Sequence, residues 1–190
     1  MDVREKLVSQ NSAGIRKAGQ SVGGKIKNMK ITIDSREKKC DHIKSWFEKN
    51  GIEYKIRKLD EGDYQIEGQP KITVDRKKDM QEMYNCVVND KSRFYKEVRR
   101  CHQKGIKLYV LIEHGGQIKS LADVPKWKPK YGTISSREIS ERLYRLHISY
   151  GVEILFCDKR CTARRILEIL TKEYLQDMET DNTHTKGEDD

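Results

Sequence analysis

Residues 62–77 read GDYQIEGQPKITVDRK. Two short alternations, Asp63-Tyr64-Gln65-Ile66 and Lys71-Ile72-Thr73-Val74, flank Gly68-Gln69-Pro70, a pattern of two strands joined by a tight turn. Asp63 opens the first strand after Gly62, and Asp75 lies in the second beside Arg76 and Lys77. Residues two apart on a strand share a face, so Asp75 and Lys77 project together while Arg76 points to the other side. Adjacent strands lie about 5 Å apart and same-face neighbours about 6.6 Å apart, so acids at neighbouring strand ends can meet at one point.

Upstream, MKITID (29–34) alternates Ile31 and Ile33 with polar residues and reads as a strand closed by Asp34. KKCDHIKSWFEKNG (38–51) spaces Cys40, Ile43, Trp46 and Phe47 at three and four and ends in Asn50-Gly51, as a helix does. IEYKIRKL (52–59) alternates again, and DEGD turns it toward residue 63, which predicts an antiparallel meander of three successive strands. Downstream, residues 79–90 and 91–105 read as helices, the second strongly basic. KLYVLIEH (107–114) is apolar enough to lie inside a sheet covered on both faces. Ser135-Ser136-Arg137-Glu138 reads as a capping box opening a helix through Tyr150, followed by the buried strand GVEILFC (151–157) and an amphipathic helix from Thr162. The whole predicts an α/β domain, a mixed central sheet flanked by helices on both faces.

The chain has 190 residues, enough for one domain with a real core, and 39 Lys and Arg against 30 Asp and Glu give a formal charge of +9. In residues 176–190 six acids face one base, a net of −5, which leaves about +14 on the preceding 175 residues. Such an excess favours a polyanionic partner. Three segments are expected: a flexible basic arm over 1–28, a folded unit over 29–175, and an acidic disordered tail over 176–190. No apolar stretch reaches the length of a bilayer span and the N-terminus lacks a signal-peptide core, so a soluble, unexported, cytoplasmic protein is expected. Five cysteines without a CxxC pair favour neither a disulfide framework nor a zinc ribbon. There is no Walker loop, dinucleotide fingerprint or serine elbow, so ATP use, redox catalysis and esterase chemistry have no support.

Carboxylates unaccompanied by histidine or thiolate favour a hard cation such as Mg²⁺ or Mn²⁺, which polarises a phosphate and acidifies a bound water. Lys77 beside Asp75 can orient that water or stabilise charge on the phosphorane-like transition state. The pattern therefore points to phosphodiester hydrolysis, with ordinary ion pairs on an exposed strand as the plain alternative.

ITIDSRE, GIEYKIRKLDEGDY, ITVDRK, LYVLIEH and GVEILFC, in this order, resemble the nuclease domain of the XPF/Hef structure-specific endonucleases, of the restriction-endonuclease-like PD-(D/E)xK superfamily. The resemblance covers about residues 29–175. It implies a restriction-endonuclease-like fold and a metal-dependent DNA endonuclease acting at branches, flaps or single-strand/duplex junctions, with a homodimer among the assemblies it allows. It also implies a role in DNA repair or recombination. The family pattern, Gly-Asp, a gap, then Glu-Arg-Lys-x3-Asp, is met by Gly62, Asp63, Arg76 and Lys77, with Asp75 where Glu is usual and Gln81 where Asp is usual. By that pattern Asp63 and Asp75 are metal carboxylates helped by the main-chain carbonyl of Arg76, and Lys77 serves the attacking water. Asp34, with Arg36 and Glu37, matches the earlier Asp-x-Arg-Glu, so Asp34 would complete the acidic cluster and Arg36 would face or support substrate. Glu82 or Asp79 could replace the acid missing at Gln81; a catalytically silent DNA-binding module of the same fold is the alternative. The compact architecture and lysine-rich composition are those expected of a bacterial or phage-encoded, nucleoid-associated protein.

For DNA contact, Arg93, Lys96 and Arg100, with Arg99 and Lys104, form a basic helix face opposite Phe94, Val98 and Cys101. In SLADVPKWKPKYG (120–132), Trp127 and Tyr131 stand among lysines, and Trp127 either stacks on unpaired bases or anchors the loop to the core. Glu113 stands at a strand end where an outer contact to the site is open to it.

Overall fold

The computed structural model describes residues 29–116 and 118–184, of which 175–184 as backbone alone. The expected basic arm over 1–28 lies outside the described residues. The elements are β1 (Lys30–Asp34), α1 (Asp41–Lys49), β2 (Glu53–Arg57), β3 (Tyr64–Ile66), β4 (Gln69–Lys77), α2 (Met80–Val87), α3 (Arg93–Gln103), β5 (Lys107–Glu113), α4 (Ser136–Tyr150), β6 (Glu153–Cys157) and α5 (Thr162–His184), with 3₁₀ turns at Leu121–Lys126 and Lys159–Cys161. They form one six-stranded mixed sheet in the order β2-β1-β3-β4-β5-β6.

Only β3 runs against its neighbours, β1 and β4; β1 is parallel to β2, and β4, β5 and β6 lie parallel side by side. The three successive strands do not form the predicted meander, because β1 lies between β2 and β3. β2 is parallel to β1 at the sheet edge, and β3 pairs on the far side of β1. Helix α1 makes β1-α1-β2 a crossover unit, which places parallel strands side by side. The connection from 58 to 63 then passes β1, with Leu59 buried beneath it and its carbonyl accepting from Arg36 Nη2 at 2.6 Å.

Alternation along the strands splits the core in two. On β5, Leu108, Val110 and Ile112 meet α2, α3 and α4, whereas Tyr109 and Leu111 meet α1 and α5. Helix faces complete both layers: Met80, Val98 and Leu143 on one side, Phe47 and Ile166 on the other. Each such side chain, once fully buried, contributes about 1.5–3 kcal/mol. The Ser135 cap is formed, accepting from Glu138 N at 3.2 Å, while the Glu138 side chain of the expected capping box pairs with Arg142 at 2.8 Å; Gly51 follows α1 at φ 65°.

Helix α5 runs on to His184, past residue 175, so the first part of the tail expected to be disordered is helical. Nothing between Leu175 and Gly187 interrupts it with Gly or Pro. No helix among the described residues is long and apolar enough to cross a membrane.

Candidate active site

The site is built on the turn into β3. Gly62 has φ 67°, and a Cβ there would overlap the Thr73 side chain, standing 2.9 Å from its Cβ, so only glycine fits. Asp63 joins two strands through its backbone: its N–H donates to Val74 O and its carbonyl accepts from Asp34 N, both at 2.8 Å. Its carboxylate Oδ2 accepts from Arg76 N at 2.8 Å. Asp63 is thereby held across from Asp75, and Asp75 shares its face with Lys77, whose ammonium pairs with Asp75 Oδ2. A cavity of about 320 Å³ opens here, lined by Asp63, Asp75, Lys77, Glu82, Glu97 and Arg93 among others.

Burial, then the charges of Asp75 and Glu37, pushes the Asp63 carboxyl well above the usual carboxylate range. Burial disfavours the Lys77 ammonium, but the charges of Asp75, Cys86 and Asp63 and the hydrogen bond to Asp75 together hold the amine above its ordinary range. The shift favours the charged form of Lys77, which can act as a hydrogen-bond donor. Its ammonium stands over the Phe94 ring, 5.0 Å from Nζ to the centroid.

The donors here are carboxylate oxygens, the kind a hard divalent cation takes. Asp75 Oδ2 is buried and, although paired with Lys77, is reached by no donor in hydrogen-bonding geometry. Together with the anionic crowding at Asp63, this suits a cation held by two carboxylates. Among the described residues no three His, Cys, Asp or Glu side chains stand grouped closely enough to form a ready-made metal cage.

Asp34 departs from its expected part in the acidic cluster. It lines the cavity, but its carboxylate is taken up by Arg36, whose backbone N–H donates at 2.7 Å and whose Nε donates at 3.0 Å to Oδ1. Burial acts to raise its pKa, yet these bonds from Arg36 win and hold it low. Arg36 thus supports Asp34, with its side chain still 47% exposed.

Arg76 projects to the opposite sheet face and its side chain stays out of the carboxylate cluster. Its Nη2 lies 2.6 Å from Glu37 Oε1 and its Nη1 3.0 Å from Glu113 Oε2, and Glu113 Oε1 in turn meets His42 Nε2 at 3.0 Å. Burial opposes the guanidinium charge, but Glu37 and Glu113 raise its pKa above even the usual arginine range. Arg76 contributes its backbone to Asp63 and its side chain to a buried ion network.

Of the expected DNA contacts, Arg93 and Arg100 line the cavity, while Lys96 is exposed on α3. Arg100 is already bidentate on buried Glu61, at 3.0 Å from Nε and 2.9 Å from Nη2, and Lys104 Nζ joins at 2.9 Å. Trp127 packs on Tyr84, ring centroids 6.0 Å apart, which is the anchoring alternative; Tyr131 is 61% exposed.

Gln81 faces away from the cavity. Its Oε1 accepts from Lys130 N at 2.8 Å and its Nε2 donates to Tyr131 O at 3.2 Å, so the amide stitches the 127–132 loop to α2. An aspartate could not supply that donor. Asp79 is engaged as the cap of α2, accepting from Glu82 N at 2.7 Å, and Glu82 reaches the cavity.

Glu97 was not among the sequence candidates. It projects from α3 into the cavity, and its Oε1 accepts from Gly62 N at 2.6 Å. Burial and then the charge of Asp75 raise its pKa. The available signal was position: an acid on a basic helix, adjoining the inward Phe94, Val98 and Cys101.

The ERCC4 domain family matches residues 33–169, and the chain belongs to that family. Among solved structures, XPF from Aeropyrum pernix superposes with a TM-score of 0.59 at 19% identity, covering 80% of this chain and 69% of that one. XPF from Aeropyrum pernix in complex with DNA gives a TM-score of 0.58 at 20% identity, covering 78% of this chain and 66% of that one. The fold is therefore the mixed-sheet α/β fold of XPF. No curated protein matches this sequence.

Proposed function

We propose that this chain is a Mg²⁺- or Mn²⁺-dependent endonuclease that hydrolyses DNA phosphodiester bonds, with branched, flapped or junction DNA as its substrate. The observation that carries this reading is the gathering of Asp63, Asp75 and Lys77 in one cavity at the end of β4. Membership of the ERCC4 domain family and the likeness in fold to an XPF studied with DNA support it.

Asp63 and Asp75 would hold the cation, with the carbonyl of Arg76 beside them. When bound, the cation polarises the phosphate and acidifies a water. Lys77 donates toward the developing negative charge, and its buried ammonium, held by Asp75, is preorganised for that task. Arg76 N–H fixes the Asp63 carboxylate, and Gly62 keeps the turn close to β4. Arg93 on the cavity wall meets the DNA backbone.

Incubating labelled flap, fork and duplex DNA with Mg²⁺, Mn²⁺ or EDTA tests the proposal. Cutting of the branched substrates with metal and none in EDTA is the expected result. Binding without metal-dependent cutting would leave only the silent module of the same fold.

A further inference from the structure

A second cavity, of about 420 Å³, adjoins the candidate active site and shares Arg36, Glu37, Arg76 and Glu82 with it. Four exposed lysines line it from three separate connections: Lys38 and Lys39 after β1, Lys78 after β4, and Lys159 after β6. These connections all leave the carboxyl ends of mutually parallel strands, where open α/β sheets place their ligands. None of the four ammonium groups takes part in an ion pair among the described residues.

The acids of this cavity, by contrast, are engaged. Glu37 and Glu113 bind Arg76, Asp79 accepts from Glu82 N, and Glu82 Oε2 accepts from Lys78 N at 2.8 Å. Asp79 and Glu82 are held by backbone N–H groups alone, so among the described residues the four lysines are the charges at the rim without a side-chain or backbone partner, and they outnumber these two carboxylates. Lys39 adds an independent sign. It is the one non-glycine residue with positive φ among the described residues, at 61°. A side chain in that conformation is strained where Gly would not be, and such strain concentrates at ligand clamps.

We propose that this cavity is a phosphate seat for the DNA strand on the side of the cleaved bond away from α3, with Lys38, Lys39, Lys78 and Lys159 as its cations. The proposal rests on the nuclease reading above. It sends the substrate backbone along the carboxyl edge of the sheet, from Arg93 past Lys77 to Lys159.

The test is binding of fluorescein-labelled flap DNA to the full chain in EDTA, with salt varied between about 50 and 200 mM. Removing one lysine–phosphate pairing lowers the slope of log affinity against log salt by about one. Lys39→Gln/Lys159→Gln should lower it by about two. Lys49→Gln/Lys172→Gln, which removes the same charge from exposed sites outside both cavities, should leave it within about half a unit of wild type. Lys39→Gly should lower the slope by about one while raising the melting temperature, which separates the cation from its backbone. Equal slopes for the two double variants would overturn the seat and leave the nuclease reading standing. Failure of wild type to bind DNA at any salt would overturn both.

Discussion

The amide N–H of Gly62 donates a 2.6 Å hydrogen bond to Glu97 Oε1, so the turn that presents Asp63 is pinned to helix α3. Glu97→Gln keeps an acceptor for that N–H and removes one negative charge from the site; Glu97→Ala removes both. The alanine variant should lose about 1–3 kcal/mol in denaturant unfolding, while the glutamine variant stays close to wild type but binds Mn²⁺ more weakly. Equal stability of the two variants would show that the bond does not hold the turn.

Lys77 and Asp75 form a buried pair, their side chains 9% and 6% exposed. Lys77→Met leaves Asp75 without its cation and should cost about 3–5 kcal/mol in unfolding free energy. Lys77→Met/Asp75→Asn should recover much of that, because neither charge is then buried alone. Both variants should lack cleavage. A Lys77→Met protein as stable as wild type would mean that solvent, rather than Lys77, balances Asp75.

Asp63, Glu37 and Glu97 all have raised pKa values, with burial the first cause in each. The folded protein therefore holds more protons than the unfolded chain above the ordinary carboxylate pKa of about 4, and stability falls as pH rises through that window. Burial also acts to raise Asp34 and Glu61, but Arg36, and Arg100 with Lys104, hold them low, so their contribution is lost only as pH falls below it. In EDTA the melting temperature should fall as pH rises above the ordinary carboxylate range, and Asp63→Asn should flatten that fall. A melting temperature that climbs over the same range contradicts these assignments.

Gln81→Asp restores the family residue but should not raise cleavage, since this side chain holds Lys130 and Tyr131 rather than facing the cavity. Losing the amide donor should destabilise the protein by about 1–3 kcal/mol. Faster cleavage by this variant would place position 81 back in the site.

The strands, the caps and the pairing of Asp75 with Lys77 were legible because alternation and spacing report local geometry directly. The position of β1 between β2 and β3 was not. DEGD looks like a hairpin turn, and only the burial of Leu59 and Glu61 shows it to be a built crossing. The engagement of Asp34 by Arg36 was hidden for a related reason: a strand-end acid reads alike whether it faces a cation or an arginine two residues on. Glu97 escaped notice because α3 reads as a basic face, and its approach to Gly62 joins residues far apart in the chain, which helix periodicity does not encode.

The most direct measurement is a calorimetric titration of Mn²⁺ into wild type, Asp63→Asn and Asp75→Ala. Saturable binding to wild type that is lost or weakened at least about tenfold, or about 1.4 kcal/mol, in both variants is the predicted result. Equal Mn²⁺ affinity in all three proteins would contradict a cation site between Asp63 and Asp75.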